Sequence, residues 1–332
     1  MKDQDQKKRK KLNLFDALTG HGRDNKKGAG KKDMESPRNF KFFFKLFGME
    51  FSRFIHVNLT FIIGNFPIVF LLIGFAGYFN DLAVAARSSL FPAVTAMTEA
   101  AVTPLSAALF GVHGVQVPQS VNTTATIVFY CLGALMLLTL GPVTCGLTKI
   151  LRSIVKGEPV FFFQDFFETI RKNLRQSIIL GALDGVFLLL IGYDILFFKA
   201  QVEYGGSTFA NGLMFWISVF MALCYLIMRM YMYPLLITFR LSIPKILKNA
   251  FLFTFLSFGR NLLALIGIVF VIIINLLTAV VFLPLGIMLP IVLTFGIILF
   301  IMTYAAWPKI DEVMIKPYYY PDGTPKPAGS DD

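Results

Sequence analysis

The sequence predicts an all-α, polytopic integral membrane protein: six transmembrane helices in three hairpins, with amphipathic lead-in helices on the cytoplasmic side. Three observations carry this. Hydrophobic residues make up 56% of the 332 residues and charged residues 15%, with a mean hydropathy of +0.67, whereas soluble domains are about 25% charged. Six apolar runs recur along the chain, each long enough to cross a hydrocarbon core about 30 Å thick. The basic residues, finally, are gathered into alternate connections between those runs.

Residues 1–39 read as a basic, mostly disordered cytoplasmic tail. The stretch 1–53 holds 15 of the 31 Lys+Arg against 7 Asp+Glu, and the tail has too few large apolar side chains to build a core. It does not read as a secretory signal, since the first long apolar run begins only near Phe54. Its default partner is an anionic lipid surface, which attracts each nearby basic residue by about 1 kcal/mol. No aromatic platform accompanies the charges, so nucleic acid is not expected.

A transmembrane domain spans 40–310. It opens with the lead-in FKFFFKLFGMEFSRFIHVNL and a first span over 54–78. The segment 79–124 is an extracytoplasmic insertion. Its stretch 82–115 is apolar enough to invite a seventh span, but it is Ala-rich and carries Arg87, Glu99, Pro92 and Pro104. One or two short helices on the outer face are expected there.

The second span, 125–147, leaves the bilayer through GPVTCGLTKILRSIVKGEP. Glu158 and Pro159 suit a helix start. Beyond them Phe163, Phe166, Phe167, Ile170 and Leu174 share one side of a helix, and Asp165, Glu168, Lys172 and Arg175 the other. This predicts an amphipathic elbow that aims the third span, 177–198, with its aromatic face in lipid or under the bundle. A docking helix for another protein is the alternative reading.

The fourth, fifth and sixth spans cover 212–235, 261–282 and 287–306, and FLPLG makes a tight hairpin between the last two. Residues 311–332 form a C-terminal tail. Each lead-in ends in Asn-Leu (Asn58-Leu59, Asn173-Leu174, Asn261-Leu262), which points to three repeated hairpin units. Of the 31 basic residues, 29 lie in 1–53, 148–176, 229–260 and 307–332, and Arg87 and Lys199 are the others. The expected location is the cell membrane, with both termini cytoplasmic.

Familiar catalytic patterns are missing: no phosphate-binding loop, no nucleophile elbow, no His-Glu-x-x-His. Cys131, Cys145 and Cys224 sit in apolar runs, and His21, His56 and His113 are scattered, so neither a metal site nor any cofactor is expected. The chemistry worth following lies inside the spans. Asp184 and Asp194 fall in the third, Arg229 in the fourth and Asn65 in the first, and ionisable groups in hydrocarbon cost several kcal/mol unless they face a partner or a cavity. Asp184 and Arg229 lie at similar depth on consecutive antiparallel spans. That placement fits a structural ion pair or a solute or proton path. Asp194, near the outer surface, reads as solvated. Breakers at Gly64-Asn65-Phe66-Pro67, Gly141-Pro142, Pro234 and Pro290 fit either plain kinks or a broken-helix site.

NLTFIIGNFPIVF in the first span, GPVTCGLTKILRSIVKGEPVFFFQDFFETIRKNLRQS after the second, and YMYPLLITFRLSIPKILKNAFLF at the end of the fourth resemble the YesL-like family of bacterial membrane proteins. The resemblance covers roughly 40–310 and implies six spans, no known activity, and association with carbohydrate-uptake and two-component regulatory genes. It therefore implies a carbohydrate transporter or a sensor kinase as partner. The function expected on that basis is a non-enzymatic membrane component assisting or regulating carbohydrate uptake. A small-solute transporter or channel is the alternative, and a structural membrane organiser the second.

Overall fold

The computed structural model describes residues 40–204 and 208–318. The basic tail and its lipid partner, residues 205–207 and the end of the C-terminal tail lie outside the described residues. The protein is an all-α polytopic membrane protein. Among the described residues five helical runs are long and apolar enough to cross a membrane: Thr124–Lys156, Phe162–Glu203, Phe209–Thr238, Phe258–Val281 and Leu283–Tyr318. A sixth is reached if the bent pair Phe40–Met49 and Phe51–Gly64 counts as one span. The chain divides into two compact units, 1–65 with 137–332, and 66–136.

The larger unit begins with α1 (Phe40–Met49) and α2 (Phe51–Gly64), bent by 77° at Glu50. Aromatic packing fixes the elbow: Phe43 and Phe54 both lie against Phe300, with ring centroids 5.0 and 4.5 Å away, and Phe47 stacks on Phe54 at 5.4 Å. Next in this unit come α7 (Met136–Lys156), α8 (Phe162–Tyr204) and α9 (Phe209–Thr238). They are followed by α10 (Ile243–Leu256), α11 (Phe258–Val281), α12 (Leu283–Leu289), a π-helical turn (Pro290–Thr294) and α13 (Phe295–Ile310).

Glycines set the closest approach in the bundle. A Cβ on Gly141 of α7 would lie 1.8 Å from the Ser177 carbonyl oxygen of α8, and one on Gly181 would lie 2.3 Å from the Gly141 Cα. Gly141 and Gly181 let the two membrane helices cross backbone to backbone, and Gly185, one turn on, makes room for the Leu137 side chain. The buried core gathers at one end, around Leu147, Ile150, Leu151, Tyr231, Leu235 and Phe300. We call this the basic end, because Lys149, Arg152 and Lys156 belong to it. Toward the opposite end, among the described residues α8 beyond Gly185 and α9 before Tyr225 have no fully buried side chain. Their large apolar side chains stay exposed (Leu190, Leu196, Trp216, Phe220), as suits helices solvated by acyl chains.

The smaller unit contains α3 (Ile68–Phe75), β1 (Asp81–Ala86), α4 (Phe91–Ala100), α5 (Pro104–His113), β2 (Gln116–Val121) and α6 (Thr124–Ala134). The strands pair antiparallel from Asp81 opposite Val121 to Ala86 opposite Gln116. Asn80 pins the pair, donating to Ser120 Oγ (3.0 Å) and accepting from Thr126 Oγ1 (2.7 Å). Gly74 and Gly133 let α3 and α6 pack, where a Cβ would meet Tyr130 and Leu71.

Four expectations need correction. The first span is not one helix over 54–78: α2 ends at Gly64 and α3 starts at Ile68, because Pro67 has no N–H to continue the ladder. The segment 82–115 contains the two expected short helices, but a strand on either side of them was not foreseen. The lead-in at 162–173 is no elbow, for it runs unbroken into the third span as the 43-residue α8. That helix starts at Phe162 and not at Glu158, which sits with Gly157 (φ 71°) in the turn after α7.

Candidate functional site

The structure brings Asp184 and Arg229 together. Asp184 is fully buried on α8, in the turn of Gly181 and Gly185. Arg229 Nε donates to both of its carboxylate oxygens, at 2.9 and 2.8 Å. Tyr225 Oη donates to Oδ1 at 2.8 Å and Tyr233 Oη to Oδ2 at 2.9 Å. Tyr225, Arg229 and Tyr233 are four residues apart on α9, so one helix face presents all three donors. The carboxylate, itself without exposed surface, thus keeps an ion pair and two further charge-assisted hydrogen bonds. Sequence reasoning missed both tyrosines, although two hydroxyls flanking an intramembrane arginine at helical spacing were a usable signal.

The other polar candidates are elsewhere. Asn65 donates from Nδ2 to the Phe61 carbonyl of its own helix (2.9 Å) and accepts from Thr139 Oγ1 (3.1 Å). Asp194 is exposed on α8, ten residues beyond Asp184. The aromatic face is split between the bundle and the exposed surface. Phe166 is buried against Gly146, with Ile170 beside it, while Phe163 and Phe167 are exposed. The inward stripe runs through Phe162, Phe166, Ile170 and Ser177.

Two of the three Asn-Leu asparagines hold broken backbone. Asn58, fully buried, donates to the carbonyls of Pro290 (2.9 Å) and Ile291 (2.6 Å) and accepts from the Gly296 N–H (2.9 Å). It thereby serves the peptide groups around the π turn. Asn261 donates to the Phe253 and Thr254 carbonyls, both at 3.0 Å, across the break at Ser257, and accepts from Tyr231 Oη. Asn173 donates to the Thr169 carbonyl of its own continuous helix.

At the basic end Arg152 lies 5.2 Å and Lys156 5.5 Å from the centroid of the buried Trp307 ring. Arg152 also donates to Thr238 Oγ1 at 2.8 Å. Glu158 pairs with Lys156 and stands 3.9 Å from Lys149. Partial burial raises the Glu158 carboxyl, but the Lys156 ammonium, with Lys149 and Arg152 behind it, outweighs that and holds it below the usual carboxylate range. Among the described residues no group of three or more His, Cys, Asp or Glu could hold a metal.

These features define a multi-pass helical membrane protein whose buried Asp184 is paired with Arg229 inside the bundle. A family profile described as "Protein of unknown function, DUF624" matches residues 121–195, less than half of the chain. The match takes in Gly141, Gly181 and Asp184. No curated protein and no solved structure matches the chain.

Proposed function

We propose that this protein is a non-enzymatic accessory or regulatory component of a membrane complex, acting through its lipid-facing helices and its basic-end surface. Carbohydrate uptake is the process the sequence resemblance points to, and a transporter or a sensor kinase is the partner in this reading. The supporting observation is the saturation of Asp184. A carboxylate that accepts from Arg229, Tyr225 and Tyr233 with no exposed surface is tied into the scaffold, whereas a transport site needs polar groups free to meet a solute. Both termini are cytoplasmic in this reading, and the basic tail lies on anionic lipid.

Crosslinking in native membranes, with mass spectrometry of the co-purified proteins, tests the partner. The expected product joins the exposed Phe163 or Phe167 region to a subunit of an uptake or sensing complex. Sugar flux through liposomes holding this protein alone, abolished by Asp184→Asn, would replace this reading with the transporter one. Helix interruptions at Asn65–Pro67 and at the π turn are what favour that second reading.

A further inference from the structure

A cavity of about 10 Å³ lies where α7, α9 and α13 meet. Thr144 and Thr148 line it from α7, Arg229, Met230 and Tyr233 from α9, and Thr303 from α13. That volume admits roughly one water molecule. Thr144 is 1% exposed, and its hydroxyl has no hydrogen-bond partner. The neighbouring hydroxyl protons are committed: Thr148 donates to the Thr144 carbonyl (2.7 Å), Thr303 to the Leu299 carbonyl (2.8 Å) and Tyr233 to Asp184. Their oxygen lone pairs remain. Pro234, inside α9, brings no N–H and so removes the helical donor that would serve the Met230 carbonyl.

The lining residues therefore include donors (Thr144 and Arg229) and acceptors (the Thr148 and Thr303 hydroxyl oxygens). Asp184 and Arg229 cancel in charge, so neither a cation nor an anion is favoured. We infer that this is a binding site for a single structural water, which satisfies Thr144 and hydrates the Pro234 interruption beside the Asp184 cluster. Ordered water is one of the means by which a proline inside a membrane helix is tolerated.

The test is radiolytic hydroxyl footprinting of the purified protein, since radicals formed from a bound water oxidise the side chains touching it. Met230 and Met232 are each 1% exposed, and only Met230 lines the cavity. Met230 should oxidise several-fold faster than Met232. Thr144→Val should bring Met230 down to the Met232 rate and lower the melting temperature, because the water loses a partner. Equal rates at Met230 and Met232 in the wild type would overturn the site, as would a Thr144→Val variant that melts higher with unchanged labelling. A variant too unstable to purify leaves the wild-type comparison to decide alone.

Discussion

Gly141→Ala places a methyl group 1.8 Å from the Ser177 carbonyl oxygen and 2.8 Å from the Gly181 Cα. Both obstacles are backbone, so no rotamer change relieves them. Restoring ordinary contact near 3.4 Å requires α7 and α8 to part by about 1.6 Å, and overpacking of this kind costs about 1–3 kcal/mol. Gly192→Ala is the control: it lies on α8 with nothing within 4 Å of the added methyl, and alanine favours helix more than glycine does. Thermal unfolding in detergent can be followed with a thiol-reactive fluorophore that reports exposure of the buried Cys145, once the exposed Cys131 and the half-buried Cys224 are replaced. At about 2–4 °C per kcal/mol, Gly141→Ala should melt roughly 2–12 °C lower and Gly192→Ala no lower than the parent. Gly181→Ala should match Gly141→Ala, and the double variant should lose less than the sum, because the first methyl has already parted the helices. Equal melting temperatures for Gly141→Ala and Gly192→Ala would refute the crossing.

Asp184→Asn and Arg229→Gln should each destabilise more than the double variant, since either change strands a buried charge; strictly additive losses in detergent melting would argue against the pair. Tyr225→Phe and Tyr233→Phe should each cost about 1.5–3 kcal/mol, the worth of a hydrogen bond to a charged acceptor, and a variant melting like the parent would remove that hydroxyl from the cluster. Phe166→Asp buries a carboxylate without a partner and should deplete folded protein in the membrane, whereas Glu168→Gln, at the exposed Lys172 pair, should leave the level unchanged in a fluorescence size-exclusion assay. Glu158 has a folded-state pKa below its unfolded value, so its contribution is complete above the unfolded pKa of about 4.3 and fades as pH falls through the folded one. Glu158→Gln should flatten that acid limb of a pH–stability profile, and an unchanged limb would assign it to other carboxylates.

Much of the bundle was legible because lipid demands it. Runs of about 20 apolar residues have few other uses, and counting residues from the membrane edge put Asp184 and Arg229 at one depth. What escaped was geometry that periodicity does not encode. An amphipathic stripe looks the same whether its helix bends at the membrane or continues through it. The breakers decide: Gly48 precedes the bend at Glu50, Ser257 interrupts the third lead-in, and no glycine or proline stands between Phe162 and Gly181. Which aromatics of that stripe pack inward was not legible either, because it depends on the space that Gly146 leaves for Phe166. The strand DLAVAA, opposite QVPQSV with its Pro118, has neither the alternation nor the β-branched content that announces a sheet.

The unbroken α8 also has a mechanical meaning. Its 43 residues make a rod about 64 Å long, gripped near its middle where Gly141 meets Gly181. Roughly 29 Å of the rod projects from that fulcrum toward Phe162 and about 35 Å toward Tyr204. A tilt of about 5° at the crossing therefore swings the two tips by about 2.5 and 3 Å in opposite directions, so that a push on one side of the membrane is delivered, reversed, on the other.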